Sequence, residues 1–342
     1  MKMSHEGAVY HQPSPIEQRI NRIEEIEADI SESDDPVGEL LMWARDSSSR
    51  VRGQAYRALA DHWEDPRMVP FLLNVLENDS EPDARGLACI GLGRFLDTAS
   101  NEGALETDYR PDVYSPLVLR DRKLARSVFE RILKLASDAE EHKEVLRRAV
   151  EALGSYAYRA EVAEIIEAMY THGDEQIQVS ALFAMGRSGL KKYRKRILKH
   201  LQGTSPDLQF EAVQAAECWE LKAALPFLRK IILDGENPNR GDTLLAYARF
   251  APSSDLRDVL ERVAEMLPDP VIESVLMDVH EQILDDLELG VKEDGEDSEA
   301  VKAEEDQLVM LEATMEALSG EVARKSEEDS GDQDSEPGQP DS

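Results

Sequence analysis

The chain has 342 residues, a formal net charge of -32, 41% hydrophobic residues and only 6% aromatic ones. That length calls for two globular domains or one elongated repeat array, and an apolar set dominated by Ala and Leu favours close-packed helices over strands. The acidity excludes nucleic acid and membrane surfaces as principal partners, because both are bound through Lys and Arg. Two cysteines, Cys89 and Cys218, exclude a disulfide framework and a four-cysteine zinc site, and fit two small core residues.

Residues 1–13 read as a flexible start without the apolar core of a signal peptide. No later stretch approaches the about 18 apolar residues that span a bilayer, so a cytoplasmic location is expected. Residues 14–36 predict a capping helix: Ser14-Pro15 suits its opening, and Ile16, Ile20, Ile23 and Ile30 form an apolar stripe. It would cover the open end of a repeat stack.

From residue 37 to 285 the sequence repeats. VRGQAYRALA at 51–60 recurs as ARGLACIGLG at 84–93, VLRRAVEALG at 145–154, IQVSALFAMG at 177–186 and LQFEAVQAAE at 208–217. The small residue at the fifth place falls at Ala55, Ala88, Ala149, Ala181 and Ala212, in steps of 33, 61, 32 and 31. Two more periods lead to Val275, with a degenerate copy at 243–248. Each unit carries a second amphipathic run upstream, at 68–76, 123–136, 162–170, 193–201, 223–233 and 256–267. In Phe129, Ile132, Leu133 and Ala136 the apolar residues lie at i, i+3, i+4 and i+7, one face of a helix. The unit is therefore helix, turn, helix, and it can bury its stripe only against the next unit. Asp46 and Asp79 open turns with N-capping residues, and Gly93, Gly154 and Gly186 mark the ends of second helices.

Asp46 and Asp79 each stand six residues before an arginine, Arg52 and Arg85, followed by Ala-x-x-x-Leu and then Ala60 or Gly93. In this pattern the sequence resembles the short HEAT-like repeats of the phycobilisome-lyase type, over about residues 37–285. The resemblance implies a structural role for Asp46, Arg52, Asp79 and Arg85 in tying neighbouring units together. Leu146, Gln178 and Gln209 replace the arginine in later units, which puts those ties in question. The fold expected is all-α, a right-handed α-α superhelix (a HEAT-like, armadillo-like solenoid) of about seven helix pairs.

The step of 61 points to an insertion, placed at 97–122, whose Tyr109 and Tyr114, with Pro111 and Pro116, suit contact with a partner. Residues 286–342 hold 20 Asp and Glu against 4 Lys and Arg. They read as a largely disordered acidic tail, with one amphipathic helix at about 300–324 carrying Leu308, Leu311, Met315, Leu318 and Val322. That helix would dock on the array or self-associate, and the tail would solubilise the chain or steer it to a basic partner.

The search for chemistry finds little. The seven histidines are scattered, with no His-x-x-x-His and no His-Glu-x-x-His; His-Glu occurs only at His5-Glu6 and His280-Glu281, and no phosphate-binding loop or nucleophile turn is present. No metal or cofactor is expected, and the chain is expected not to be an enzyme. The function read is a protein–protein interaction scaffold or adaptor. Its second helices would present an outward column of Arg57, Ile90, Glu151, Phe183 and Gln214, in which Ile90 and Phe183 are either core residues or the partner-binding candidates. The alternative implied by the resemblance is a bilin lyase-like or chromophore-attachment accessory protein.

Overall fold

A computed structural model describes residues 14–28, 33–62, 64–105, 122–266, 269–272, 274–280 and 308–309. Among these, every regular element is a helix, and the chain divides into two compact units after Leu190. The first contains α1 (Pro15–Ala28), α2 (Pro36–Trp43), α3 (Ser49–Leu59), α4 (Met68–Asn78), α5 (Pro82–Asn101), α6 (Arg122–Ala136), α7 (Lys143–Ala152), α8 (Ala160–Tyr170) and α9 (Glu175–Arg187). The second contains α10 (Arg194–His200), α11 (Pro206–Cys218), α12 (Leu225–Ile232), α13 (Arg240–Phe250) and α14 (Ser253–Glu265), followed by helical residues at 270–272 and 274–280.

In the first unit α2/α3, α4/α5, α6/α7 and α8/α9 pack as helix pairs, and α1, α3, α5, α7 and α9 pack in succession. In the second, α10/α11 and α12/α13 pair, and α11 lies beside α13. The five alanines that mark the repeat, Ala55, Ala88, Ala149, Ala181 and Ala212, are all fully buried. A methyl group at this place lets neighbouring second helices approach, while Leu59, Leu92, Val145 and Leu182 fill the space around it. Starts are set locally. Pro36, Pro82 and Pro206 take the first helical turn, where a missing N–H costs nothing, and the Asp35, Asp174 and Ser205 side chains accept N–H groups of that turn.

Three expectations are corrected. Gly93 does not end its helix: α5 continues to Asn101 and stops at Gly103, whose φ of 67° permits the closing bond from the Ala104 N–H to the Ala99 carbonyl. Residues 97–101, assigned to the insertion, therefore belong to the helix, and Ala99, Ala104 and Leu105 are buried. Gly93 is instead a packing residue, since a Cβ there would lie 3.1 Å from the Ala152 Cα. The register at the end of the array also slips by one: Leu276 is buried where Val275 was expected, because 272, 276 and 279 form the buried face, while Leu244 is buried in the degenerate copy at 243–248. Finally, Ile26 joins Ile23 as the fully buried pair of α1, which packs on both α2 and α3. Of the 300–324 helix only Leu308 and Val309 are described, both helical; the rest of it, the tail around it and Ile30 lie outside the described residues.

Candidate functional site

The turns before second helices carry the repeat's polar chemistry. The Asp46 carboxylate accepts the Ser48 N–H at 2.7 Å and receives Arg19 of α1 at 2.8 Å. Arg52 donates to the Asp46 carbonyl at 3.0 Å, closing the turn from inside the helix. Asp79 repeats the pattern: it accepts the Glu81 N–H at 2.9 Å and the Tyr56 hydroxyl at 3.0 Å. Burial, with the Asp79 carboxylate beside it, pushes the Tyr56 phenol up to about 12. Arg85 makes a two-pronged pair with Glu141, at 2.9 and 3.0 Å, across the inserted stretch.

Where glutamine replaces the arginine, a donor to the chain before the helix persists. Gln178 donates to the His172 carbonyl and Gln209 to the Leu201 carbonyl. Gln209 also accepts Asn237 at 2.9 Å and Asn239 at 3.3 Å, and so links two successive pairs of the second unit. Leu146 makes no such bond; there the His142 ring accepts the Glu144 N–H instead.

The second-helix layer of the first unit offers the broadest candidate surface. Ile90 on α5 and Phe183 on α9 are both half-buried, neither core nor fully free. They do not form one apolar patch, because α7 packs between α5 and α9 and carries a charged row. Arg148 reaches Glu144 at 2.9 Å and Glu151 at 2.8 Å, Arg147 reaches Ser180 at 3.0 Å, and Ser180 donates to Glu151 at 2.5 Å. Burial opposes the Arg148 charge, but Glu151 and Glu144 outweigh it and hold its pKa above the usual value. Phe183 has the Arg187 guanidinium 5.5 Å from its ring centroid. Arg57 is exposed on α3; Gln214, half-buried on α11, belongs to the second unit. Tyr109 and Tyr114 lie outside the described residues.

Three features were missed in the sequence. A groove of about 530 Å³ crosses α1, α3 and α5, with Glu24, Arg50, Arg52, Arg57, Glu81 and Asp83 among its lining; it joins residues from the capping helix and two repeats, so no local motif announces it. Arg159 lies 5.1 to 5.8 Å from the ring centroids of Phe129, Tyr156 and Tyr158, a cluster also assembled only by folding. The third is a run of basic residues at 191–199. Of the cysteines, only Cys89 is a core residue, with burial pushing its thiol well above the usual range. Cys218 is exposed, against expectation, because it ends α11. Among the described residues no group of three His, Cys, Asp or Glu is arranged to hold a metal, and no helix is long and apolar enough to cross a membrane.

Paired helices at a spacing of about 32 residues, stacked through a buried small residue, decide the architecture. The fold is that of HEAT-like repeats. The chain is similar to the complex of CpcE and CpcF of phycocyanin lyase from Nostoc sp. PCC7120, at 15% identity and a TM-score of 0.45, covering 80% of this chain and 100% of that one. It is also similar to YibA of E. coli, at 13% identity and a TM-score of 0.42, covering 88% and 99%. No family model and no curated protein matches the sequence. The first likeness overturns the expectation that the chain is not an enzyme: a helical-repeat structure of this kind occurs in a lyase complex, so a missing catalytic motif does not exclude activity.

Proposed function

We propose that this chain is a protein-binding adaptor that holds a partner against the second-helix layer of its first unit. The observation that carries the reading is the charged row of α7, Glu144, Arg147, Arg148 and Glu151, fixed by mutual bonds between the half-buried Ile90 and Phe183. Side chains already held in one arrangement lose little freedom on binding, and apolar anchors on either side of fixed charges supply both affinity and register. The test is capture of partners from native lysate by the full chain, Phe183→Asp and Ile90→Arg, with helicity measured by circular dichroism. Loss of the same partner in both folded variants supports the reading; capture unchanged in both ends it.

A second reading is a bilin lyase-like or chromophore-attachment accessory role. It is favoured by the α1/α3/α5 groove, whose volume of about 530 Å³ is that of a small-molecule site and whose lining includes three arginines suited to carboxylates. Incubation with a bilin and an apo-phycobiliprotein separates the readings: pigment-dependent transfer that is lost in Arg57→Ala favours this one, and an unpigmented acceptor removes it.

A further inference from the structure

The second unit opens with KKYRKRILKH at 191–200: six Lys and Arg in nine residues, no acid, and four of the chain's 13 lysines, in a protein of net charge -32. The segment forms a short 3-10 turn, Lys191–Tyr193, and then α10. Tyr193 and Ile197 are its buried face, whereas Lys191, Lys192, Arg194, Lys195 and Lys199 are exposed. Among the described residues none of these five has an ion-pair partner, although Arg22, Arg67, Arg85, Arg148 and Arg240 are all paired. An acidic protein thus presents five positive charges without an ion-pair partner among the described residues, along one turn and the helix that follows it. Such a face creates a local positive potential, and a counter-charge within a Debye length of about 10 Å is strongly favoured.

We propose that this face is the docking site of the chain's own acidic C-terminal segment, residues 326–342. That segment has seven Asp and Glu, no Lys or Arg, and no aromatic residue, so its charge matches the face almost one for one. It is tethered within reach. About 45 residues separate it from position 280, and a chain of that length spans about 40 Å even at random-coil dimensions. A unit of about 90 residues is only about 30 Å across. Tethering raises the local concentration of the segment to about the millimolar range, so it outcompetes free anions. A nucleic acid or an anionic bilayer lacks that advantage and is repelled by the rest of the chain.

The experiment uses the full chain with Ser342→Cys, dye-labelled at position 342 and at the exposed Cys218, which ends the helix packed on α10. Energy transfer is expected to be high at low salt, to fall as salt rises, and not to depend on protein concentration. It should fall to its high-salt level in Lys191→Glu/Lys192→Glu/Arg194→Glu/Lys195→Glu. It should fall likewise in Glu327→Gln/Glu328→Gln/Asp329→Asn/Asp332→Asn/Asp334→Asn, which alters none of the described residues. Transfer unchanged by the tail substitutions overturns the proposal. So does transfer that appears only at high concentration, which would make the occupant a second copy's tail, and so does nucleic acid or vesicle binding to α10 that leaves transfer unaltered.

Discussion

The two units solve the same repeat with different polar chemistry. In the first, neighbouring pairs are tied by half-exposed charges, Arg19–Asp46, Arg85–Glu141 and Lys143–Asp174, and helices close on glycines: a Cβ at Gly91 would lie 2.8 Å from Leu72, and one at Gly154 3.1 Å from the Ala184 Cα. The second keeps exposed pairs of its own, Arg229–Asp258 and Arg249–Glu217, and adds more deeply buried ties: the amides of Gln209 and Asn239 with the half-buried Asn237, and the ion pair Arg240–Asp269, whose side chains are only 10% and 8% exposed. What recurs is a donor that satisfies the turn before a second helix, not a residue type. A buried tie must be matched group for group, whereas an exposed one shares its load with water.

This contrast predicts unequal costs. The largest effect is expected at Arg240→Ala, which takes the guanidinium away from the buried Asp269 carboxylate and should remove about 3–5 kcal/mol in denaturant unfolding. Replacing both partners by apolar residues should recover most of that loss. Gly93→Val should cost about 1–3 kcal/mol through overpacking against Ala152, and a cost no larger than that of Gly53→Val, where a Cβ meets nothing within 4 Å, would sink the close-packing argument. Gln209→Ala, which takes the carboxamide oxygen from the buried Asn239 and the half-buried Asn237, should cost about 1–3 kcal/mol. Arg85→Ala, in the more exposed tie, should cost less, about 1 kcal/mol; equal costs would erase the distinction between the units.

Two smaller effects sharpen it further. α11 ends with Glu220 at φ 44°, bonded as Glu220 N–H to the Glu217 carbonyl and Leu221 N–H to the Ala216 carbonyl. α9 ends with Gly189 at φ 63° in the same role. Glu220→Gly should therefore raise stability by about 0.5–1 kcal/mol. In the first unit, hydrogen bonds from Arg67 and from the Gly38 N–H lower the Asp35 carboxyl to about 2. Because the folded value lies below the ordinary 3.8, the stabilisation is complete above that pH and is lost as pH falls towards 2. Asp35→Asn should flatten acid unfolding in that window, with the effect shrinking as salt screens the exposed pair.

The helix pairs were legible because burial has a period: Ala55, Ala88, Ala149, Ala181 and Ala212 stand where two backbones meet, and only a small side chain fits. The end of α5 was misread because glycine serves two purposes. A positive φ and a close approach select the same residue, and only packing shows that Gly103 does the first and Gly93 the second. The basic face of α10 was visible as letters, yet it was hidden by averaging charge over the whole chain. The α1/α3/α5 groove had no linear signal, since its arginines come from α3 and its acids from the capping helix and the start of α5.

The sequence by itself determined the class of fold and the register of most pairs, because apolar spacing and small residues dictate which side of each helix avoids water. The tertiary structure alone decided the partners: that Arg85 reaches Glu141, that Gln209 accepts Asn237 and Asn239, that a charged row separates Ile90 from Phe183. Those contacts join residues about 30 to 60 positions apart, and their geometry depends on how neighbouring helices settle against one another, which no local pattern encodes.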